Sequence, residues 1–467
     1  MNILLTVPFN RSYVIMPSLG LGYLAMVLAK NSHNVSILNC IKERFTIEEF
    51  KNYISTRNFD LVCFQMFSYD LNVIKKYSQI VKSVKPSAIT IVGGPHPSGD
   101  PAGILNDLPD IDFAFHGEAE IGLSRLVNVL SDNKNLSGHE RENTFSLIPG
   151  LIWKNAGKIK INHPEFVNDL DSLDFPNWDL QDPRSFPYAP HGAFARDFPT
   201  APLIITRGCP YQCTFCAGKA ISGKKIRNRS IKNVIEEIEY LKREYGVKEI
   251  MIEDECFTFH RELVKEFCEA LLTRDLRISW SLPSGVRIDT LDRELLDIME
   301  RSGCYSLAFG IEFGSQRMLD LTKKNLSLEM VKEKIELFKN SNIKVTGFFM
   351  MGVPGEKKED IRKTIKFALE LPLNRVQFNN FMPLPGSELW RELSSAGRLN
   401  RLDWNKFFVH DVAFTPDGIT GRELKVLQIK AYIRFYLRPS ILIGIFKEIR
   451  SFRHMFYLLK RFFDAMR

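Results

Sequence analysis

The sequence predicts an α/β protein built from two successive parallel-sheet units and a helical C-terminal extension. Three observations carry this prediction. Short apolar runs alternate with helical patterns twice along the chain, a polar stretch rich in Pro, Asn and Asp separates the two series, and the alternation ends near residue 400. The composition agrees, with 45% apolar, 25% charged and 11% aromatic residues among 467, which excludes disorder and collagen-like repeats.

The first series, residues 1–135, places strands near Ile3–Val7, Val35–Leu38, Leu61–Phe64, Ala88–Val92 and Phe113–Phe115. Such βαβ units form a Rossmann-like or flavodoxin-like parallel sheet, whose ligands sit at the carboxyl ends of the strands. The loops at those ends run from Pro8 to Gly22, Gln65 to Tyr69, Gly93 to Pro97 and His116 to Glu118, and all four are expected at one crevice. Met1 to Pro8 has no basic flank or cleavage site, so it reads as a first strand rather than a signal peptide. Residues 136–195, with Phe175-Pro176-Asn177-Trp178 and the prolines from Pro183 to Pro190, read as a linker.

The second series, residues 196–400, places strands near Ala201–Thr206, Glu249–Glu253, Ile278–Leu282, Ser306–Ile311, Lys344–Met350 and Arg375–Asn379, with helices such as Ile231–Tyr245 and Leu328–Asn340. Six strand and helix units without a closing pair predict a partial (β/α)6 barrel. Residues 401–467 read as a basic helical extension broken at Pro439.

Eight Cys in 467 residues are too few for a disulfide scaffold, so a reducing, cytoplasmic compartment is expected. Three of them, Cys209, Cys213 and Cys216, follow the first strand of the second series. Three thiolates at this spacing suit three irons of a [4Fe-4S] cube, leaving the fourth iron open for a substrate or cofactor. An open metal position marks a catalytic site rather than a structural one. A zinc knuckle is the competing reading, while Cys256, Cys268 and Cys304 read as core residues.

The net charge is +8, and Lys430 to Arg467 supplies +7 of it, from nine basic residues against Glu448 and Asp464. A basic excess confined to one apolar tail argues against a nucleic-acid partner. Ala431 to Arg438, Ile441 to Phe446 and Phe452 to Phe463 interleave large apolar side chains with Lys and Arg. They read either as an amphipathic contact with an anionic membrane surface or as helices packed on the barrel with a solvated basic face. No run approaches the ~18 apolar residues of a membrane span.

Cys209-Pro210-Tyr211-Gln212-Cys213-Thr214-Phe215-Cys216, with its C-x3-C-x-aromatic-C spacing after a strand, resembles the signature of the radical S-adenosylmethionine (SAM) superfamily. The resemblance implies that the open iron chelates SAM and that an electron from the cluster cleaves it to a 5'-deoxyadenosyl radical. It also implies roles for the later strand ends. Glu253, Asp254 and Glu255 stand where that superfamily contacts the SAM amine. Ser284, Arg287, Glu312, Gly352 and Pro354 stand where it contacts ribose, carboxylate and adenine. Carboxylates suit an ammonium and Arg suits a carboxylate, which is the physical sense of these positions.

The first series closely resembles the cobalamin-binding domain of B12-dependent radical SAM enzymes. The resemblance rests on Pro17-Ser18-Leu19-Gly20, Gly93-Gly94-Pro95-His96 and Gly117-Glu118. Those residues are thereby implied as cobalamin contacts. The D-x-H-x-x-G motif that supplies a cobalt-ligating His in many B12 enzymes is absent, which leaves open a domain that no longer binds the corrin. His96, between two prolines, reads as a maker of loop hydrogen bonds. Radical SAM methylthiotransferases carry three further N-terminal Cys, whereas this chain has only Cys40 and Cys63 there.

The resemblance implies a [4Fe-4S] cluster, SAM and cobalamin as cofactors, and methylation of an unactivated carbon of a small-molecule or lipid-like substrate. It further implies a reducing electron donor such as flavodoxin or ferredoxin. A cobalamin-dependent cyclase without methyl transfer, and a non-catalytic cobalamin or iron-sulfur sensor at a membrane, are the alternatives.

Overall fold

The computed structural model describes residues 1–449 except 13, 133–137, 189–193 and 401, together with 452, 454–456, 458 and 459. The N-terminal sheet contains β1 (Asn2–Val7), β2 (Asn34–Asn39), β3 (Leu61–Gln65), β4 (Ile89–Gly93), β5 (Phe113–Phe115), β6 (Leu151–Asn155) and β7 (Lys158–Ile161), in the order β2-β1-β3-β4-β5-β6-β7. The first five are parallel, in the flavodoxin-like order 2-1-3-4-5. Successive side chains of β1 serve opposite faces. Leu4 packs with Phe50, Ile74 and Tyr77, while Ile3 and Leu5 pack with Leu21, Leu28 and Leu123.

One expectation is corrected here. The segment 136–195, read as a linker, adds β6 and β7 to this sheet as an antiparallel hairpin, with β6 paired to β5. Leu151, Ile152 and Trp153 are buried in it. Three adjacent apolar residues of a short edge hairpin are a weak signal beside so many prolines and asparagines, and burial of both faces is what recruits them.

The second unit holds β8 (Thr200–Leu203), β9 (Thr206–Arg207), β10 (Arg227–Asn228), β11 (Glu249–Ile252), β12 (Ser279–Val286), β13 (Cys304–Glu312), β14 (Lys344–Met351) and β15 (Arg375–Asn380). Six of these form one all-parallel sheet in the order β15-β14-β13-β12-β11-β8, the open arc of a partial barrel. The pair β9 and β10 is antiparallel and closes the base of the cysteine loop. Local signals set the helices around the arc. Ser230 accepts the Asn233 N–H to start the helix Ile231–Tyr245, and Gly246 at φ +63° ends it.

The extension covers the β15 edge of the arc. In the helix Gly421–Tyr436, residues Gln428, Tyr432 and Tyr436 lie one turn apart and meet the backbone of β15. Gln428 Nε2 donates to the Phe378 carbonyl at 2.7 Å, Tyr432 Oη accepts the Phe378 N–H at 3.0 Å, and Tyr436 Oη donates to the Val376 carbonyl at 2.9 Å. Side chains thus replace the missing neighbour strand, each bond contributing about 1 kcal/mol. Ala431, Tyr432 and Phe435 are buried in the process, so this first part of the tail packs on the barrel. The rest of the membrane reading falls on the helix Pro439–Glu448 and on residues that lie mostly outside the described set.

Candidate cofactor site

The three cysteines lie on the loop between β9 and β10, all with free thiols. Asp254 and Glu255, just after β11, hold the approach to that loop. The buried Asp254 carboxylate accepts the N–H groups of Ile205 (2.8 Å) and Thr206 (2.7 Å), and burial pushes its pKa up to about 7 against those bonds. Glu255 accepts the Gly208 N–H at 2.8 Å and the Ser222 hydroxyl at 2.7 Å, joining the two ends of the loop. A hydrogen bond from Cys256 stabilises the Cys209 thiolate and brings its pKa down to about 7, while burial raises Cys213. Cys256 is buried, as its isolation in sequence suggested, and lies beside Cys209.

Among the described residues no three His, Cys, Asp or Glu side chains converge on a single ion. In a [4Fe-4S] cube each thiolate holds its own iron, so the ligands stand wider apart than around one ion. Three thiols on one anchored loop, with a fourth position left to non-protein atoms, fit that group.

Arg287, expected at the SAM carboxylate, is committed elsewhere. It pairs with Asp289 at 2.7 Å, donates to the carbonyls of Lys324 (2.8 Å) and Asn325 (3.1 Å), and stacks 3.9 Å over the Tyr211 ring. Its geometry is that of a brace between the cysteine loop and residues 324–325. Ser284 donates to Glu253, so these two expected residues meet at the ends of adjacent strands. Glu312, at φ +69°, pairs with Lys324 at 3.0 Å. The Gly352 turn is closed from inside: the buried Glu356 carboxylate accepts the N–H groups of Gly352 and Val353.

The N-terminal loops divide into two sets. Gly94, Pro95 and His96 follow β4, and Gly117 and Glu118 follow β5; both loops bear on the barrel. Glu118 accepts both Arg227 amino groups, at 2.7 and 2.8 Å, and the Val167 N–H at 2.8 Å, with Arg207 at 3.4 Å. Arg207 also pairs with Glu120 at 2.8 Å. Burial alone would raise Glu118, but Arg227 and Arg207 outweigh it and hold the carboxyl below its usual range. A Cβ on Gly99 would lie 2.2 Å from the Pro385 carbonyl oxygen, so the loop after β4 touches the loop after β15 backbone to backbone. The carboxyl ends of the two sheets therefore face each other.

The second set lines a cavity of about 1110 Å³ at the switch point between β1 and β3. Phe9, Asn10 and Arg11 come from the loop after β1, Tyr69 from the loop after β3, and Phe408, His410 and Asp411 from the C-terminal extension. Tyr69 stacks on Phe408 with centroids 4.7 Å apart, and Arg11 bonds Asp411 at 2.6 Å. A space this size suits a ligand as large as a corrin. His96 does not line it. Its Nδ1 meets Ser68 Oγ at 3.0 Å, its ring edge faces Trp404, and burial lowers its pKa to about 4.

Residues 203–368 match the model of the radical SAM superfamily, and residues 6–127 match the B12 binding domain. The chain is 30% identical to an uncharacterized methyltransferase of Pyrococcus horikoshii, over 95% of this chain and 92% of that one. The chain belongs to the B12-binding radical SAM enzymes. It is also 26% identical, over 91% of its length and 75% of the relative's, to the anaerobic magnesium-protoporphyrin IX monomethyl ester cyclase of Rubrivivax gelatinosus. In fold it is similar to OxsB, a cobalamin-dependent SAM radical enzyme solved with aqua-cobalamin and SAM bound. That likeness has a TM-score of 0.73 at 16% identity, and covers 100% of this chain and 71% of the other.

In this B12-binding radical SAM enzyme the expected residues separate by what they touch. Cys209, Cys213, Cys216, Glu253, Ser284 and Glu312 stand at the carboxyl ends of the barrel strands, with Glu253 bonded by Ser284 and Glu312 paired to Lys324, while Asp254, Glu255 and Arg287 bond backbone groups of neighbouring loops. Ser18, between Pro17 and Leu19, caps the helix Leu19–Lys30 by accepting the Leu21 N–H, and its backbone exchanges two hydrogen bonds with the Gln181 amide. Pro17, Leu19 and Gly20 are held in that turn rather than in the cavity lining. Lys324, Arg207, Arg227 and the aromatic residues of 404–414 were not anticipated. No motif marks them, and only the fold brings them to the site.

Proposed function

We propose that the chain is a cobalamin-dependent radical SAM methyltransferase acting on an unactivated carbon of a small-molecule or lipid-like substrate. The reading rests on one observation: Glu118 with Arg227 and Arg207, together with the Gly99 and Pro385 contact, fixes the carboxyl end of a B12-binding sheet against the mouth of a radical SAM barrel. In this reading Cys209, Cys213 and Cys216 hold the cluster. Glu253, Ser284, Glu312 and the Gly352-Val353-Pro354 turn are the groups offered to SAM. The cavity between Phe9, Tyr69 and Phe408 would hold cobalamin. The cluster and SAM supply hydrogen abstraction from carbon, and cobalamin supplies the methyl group. The chain's part is positional. Asp254 and Glu255 fix the cysteine loop, Arg287 braces it, and the aromatic walls exclude water from a radical reaction.

The second reading, ring formation without methyl transfer, is supported by the similarity to the Rubrivivax gelatinosus cyclase across most of the chain. One experiment separates the two. The protein is purified without oxygen, reconstituted with iron, sulfide and hydroxocobalamin, and desalted, and then reduced with SAM present. About four irons and one corrin per chain, with both 5'-deoxyadenosine and S-adenosylhomocysteine released, support methyl transfer. Deoxyadenosine alone supports the cyclase, and iron without retained corrin refutes the two-cofactor reading.

Two partners complete the proposal. A low-potential one-electron donor of the flavodoxin or ferredoxin kind supplies the electron. An anionic lipid surface is met by the helix Pro439–Glu448, which leaves Ile443 and Phe446 56% and 66% exposed beside Lys447. Among the described residues no helix is long and apolar enough to cross a membrane.

A further inference from the structure

Lys324 is a buried cation that none of the assignments above uses. Its side chain is 9% exposed, and its ammonium pairs with Glu312 at 3.0 Å. The same Nζ lies 5.9 Å from the ring centroid of Phe215, the residue between Cys213 and Cys216 apart from Thr214. The loop that delivers it is locked to the cysteine loop. Thr214 donates its N–H to the Thr322 carbonyl at 3.0 Å, Lys323 and Asn325 adopt φ of 53° and 52°, and Arg287 grips the carbonyls on either side of the 324–325 peptide. Room for the ion pair comes from Gly310. A Cβ there would stand 2.6 Å from Glu312 Oε1 and 3.0 Å from Lys324 Nζ.

The charge of this lysine stands beside the cysteine loop: its ammonium faces the ring of Phe215, the residue next to Cys216, and the Thr214 bond to Thr322 ties the two loops together. Burial opposes the lysine's charge, and the carboxylate of Glu312 at 3.0 Å offsets it. Burying an ammonium is costly without partners, and the side-chain partner of Lys324 is the Glu312 carboxylate.

We propose that Lys324 is the positioning cation of the cluster site: it stabilises the reduced, more negative cluster and so sets its reduction potential, with Glu312 as its tether. This rests on the reading that Cys209, Cys213 and Cys216 hold a [4Fe-4S] cluster. The redox change is a one-electron reduction of the cluster by an added low-potential donor, with no bond made or broken in the protein. A unit charge within about 10 Å, at an effective dielectric near 20, changes such an equilibrium on the order of tenfold.

The test is a redox titration of the full-length, reconstituted protein without SAM, with dithionite as the donor and the reduced-cluster EPR signal as the readout. Wild type, Lys324→Met, Lys324→Arg and Glu312→Gln are compared after iron and sulfide are quantified. At the potential where wild type is half reduced, Lys324→Met should lower the reduced-to-oxidised ratio about tenfold, equivalent to about 59 mV for one electron. Lys324→Arg should stay within about twofold of wild type, and Glu312→Gln should shift the ratio the opposite way, toward reduction. A ratio in Lys324→Met within about twofold of wild type overturns the proposal, as does Lys324→Arg shifting as far as Met. If Lys324→Met assembles no cluster, Glu312→Gln decides alone: a shift toward reduction supports the tether and an unchanged ratio overturns it. Absence of iron from the wild type refutes the cluster reading itself, which separates the two failures.

Discussion

Glu118→Ala tests whether charge clamps the two sheets together. The Glu118 carboxylate takes two N–H bonds from Arg227 and one from the Val167 backbone, and lies 3.4 Å from Arg207. With Glu120 and the two arginines it forms a four-group cluster of zero net charge, which the substitution leaves at +1. Arg227 then keeps the carbonyls of Val167 and Ser222 and the face of the Phe166 ring but, among the described residues, no carboxylate partner of its own. Removing one partner of a buried pair costs about 3–5 kcal/mol, because the other charge stays buried and unpaired. For a unit of about 150–250 residues that is a Tm loss of about 6–20 °C. Scanning calorimetry should show the main transition lowered and split, with the N-terminal unit released to protease before the barrel melts. Replacing both partners, with Glu118→Leu and Arg227→Met together, should recover more than half of the loss, since the desolvation cost then disappears with the charges. A Glu118→Ala protein that melts within about 2 °C of wild type, in one transition, would refute the clamp.

Four further outcomes are expected. Cys213→Ala should lose the bound iron and with it all 5'-deoxyadenosine formation, checked by iron analysis and chromatography; product retained in that variant removes the cluster from the reaction. Gly99→Ala forces a Cβ to within 2.2 Å of the Pro385 carbonyl, and should cost about 1–3 kcal/mol in urea unfolding while weakening corrin retention. Burial raises the Glu356 carboxyl from its ordinary 4.5 to about 8, so the folded state keeps a proton that the unfolded state has released. Stability from this group therefore falls as pH climbs from about 4.5 to about 8, and Glu356→Gln should flatten that decline in melts taken across the same range. Phe446→Glu should abolish co-sedimentation with phosphatidylglycerol vesicles without changing Tm, because the side chain is 66% exposed; unchanged vesicle binding removes that helix from the lipid contact.

What was legible in the sequence was whatever a short stretch of chain determines by itself. The strands of the parallel sheets could be read because burial on both faces demands near-continuous apolar runs, as in Leu61-Val62-Cys63-Phe64. The helix Ile231–Tyr245 could be read to the residue because Ser230 and Gly246 punctuate it. The cysteine loop could be read because its three cysteines fall within eight residues of continuous chain. The β6 and β7 hairpin could not, since its apolar residues are few and its partner β5 lies 36 residues upstream of β6. The protein partners of Glu118 and Arg287 could not be read for the same reason. Each stands where a ligand contact is plausible, but its partner, Arg227 or the 324–325 backbone, is placed beside it only by the packing of separate strands.

The C-terminal extension couples protection of a sheet edge to the wall of the cavity. A six-stranded arc leaves one edge unpaired at β15, and the helix Gly421–Tyr436 covers it through Gln428, Tyr432 and Tyr436. The segment before that helix, carrying Phe408, His410 and Asp411, is thereby pinned beside the loop after β1, where Arg11 bonds Asp411 and Tyr69 stacks on Phe408. Edge protection and cavity wall are one covalent unit. A change of residues 403–415 alters the cavity without disturbing the cysteine loop, the Asp254 and Glu255 anchors or the Lys324 pair, all of which sit on other elements. The cavity proposed for cobalamin and the cysteine loop are thus built on separate elements, so substitution in one leaves the other in place.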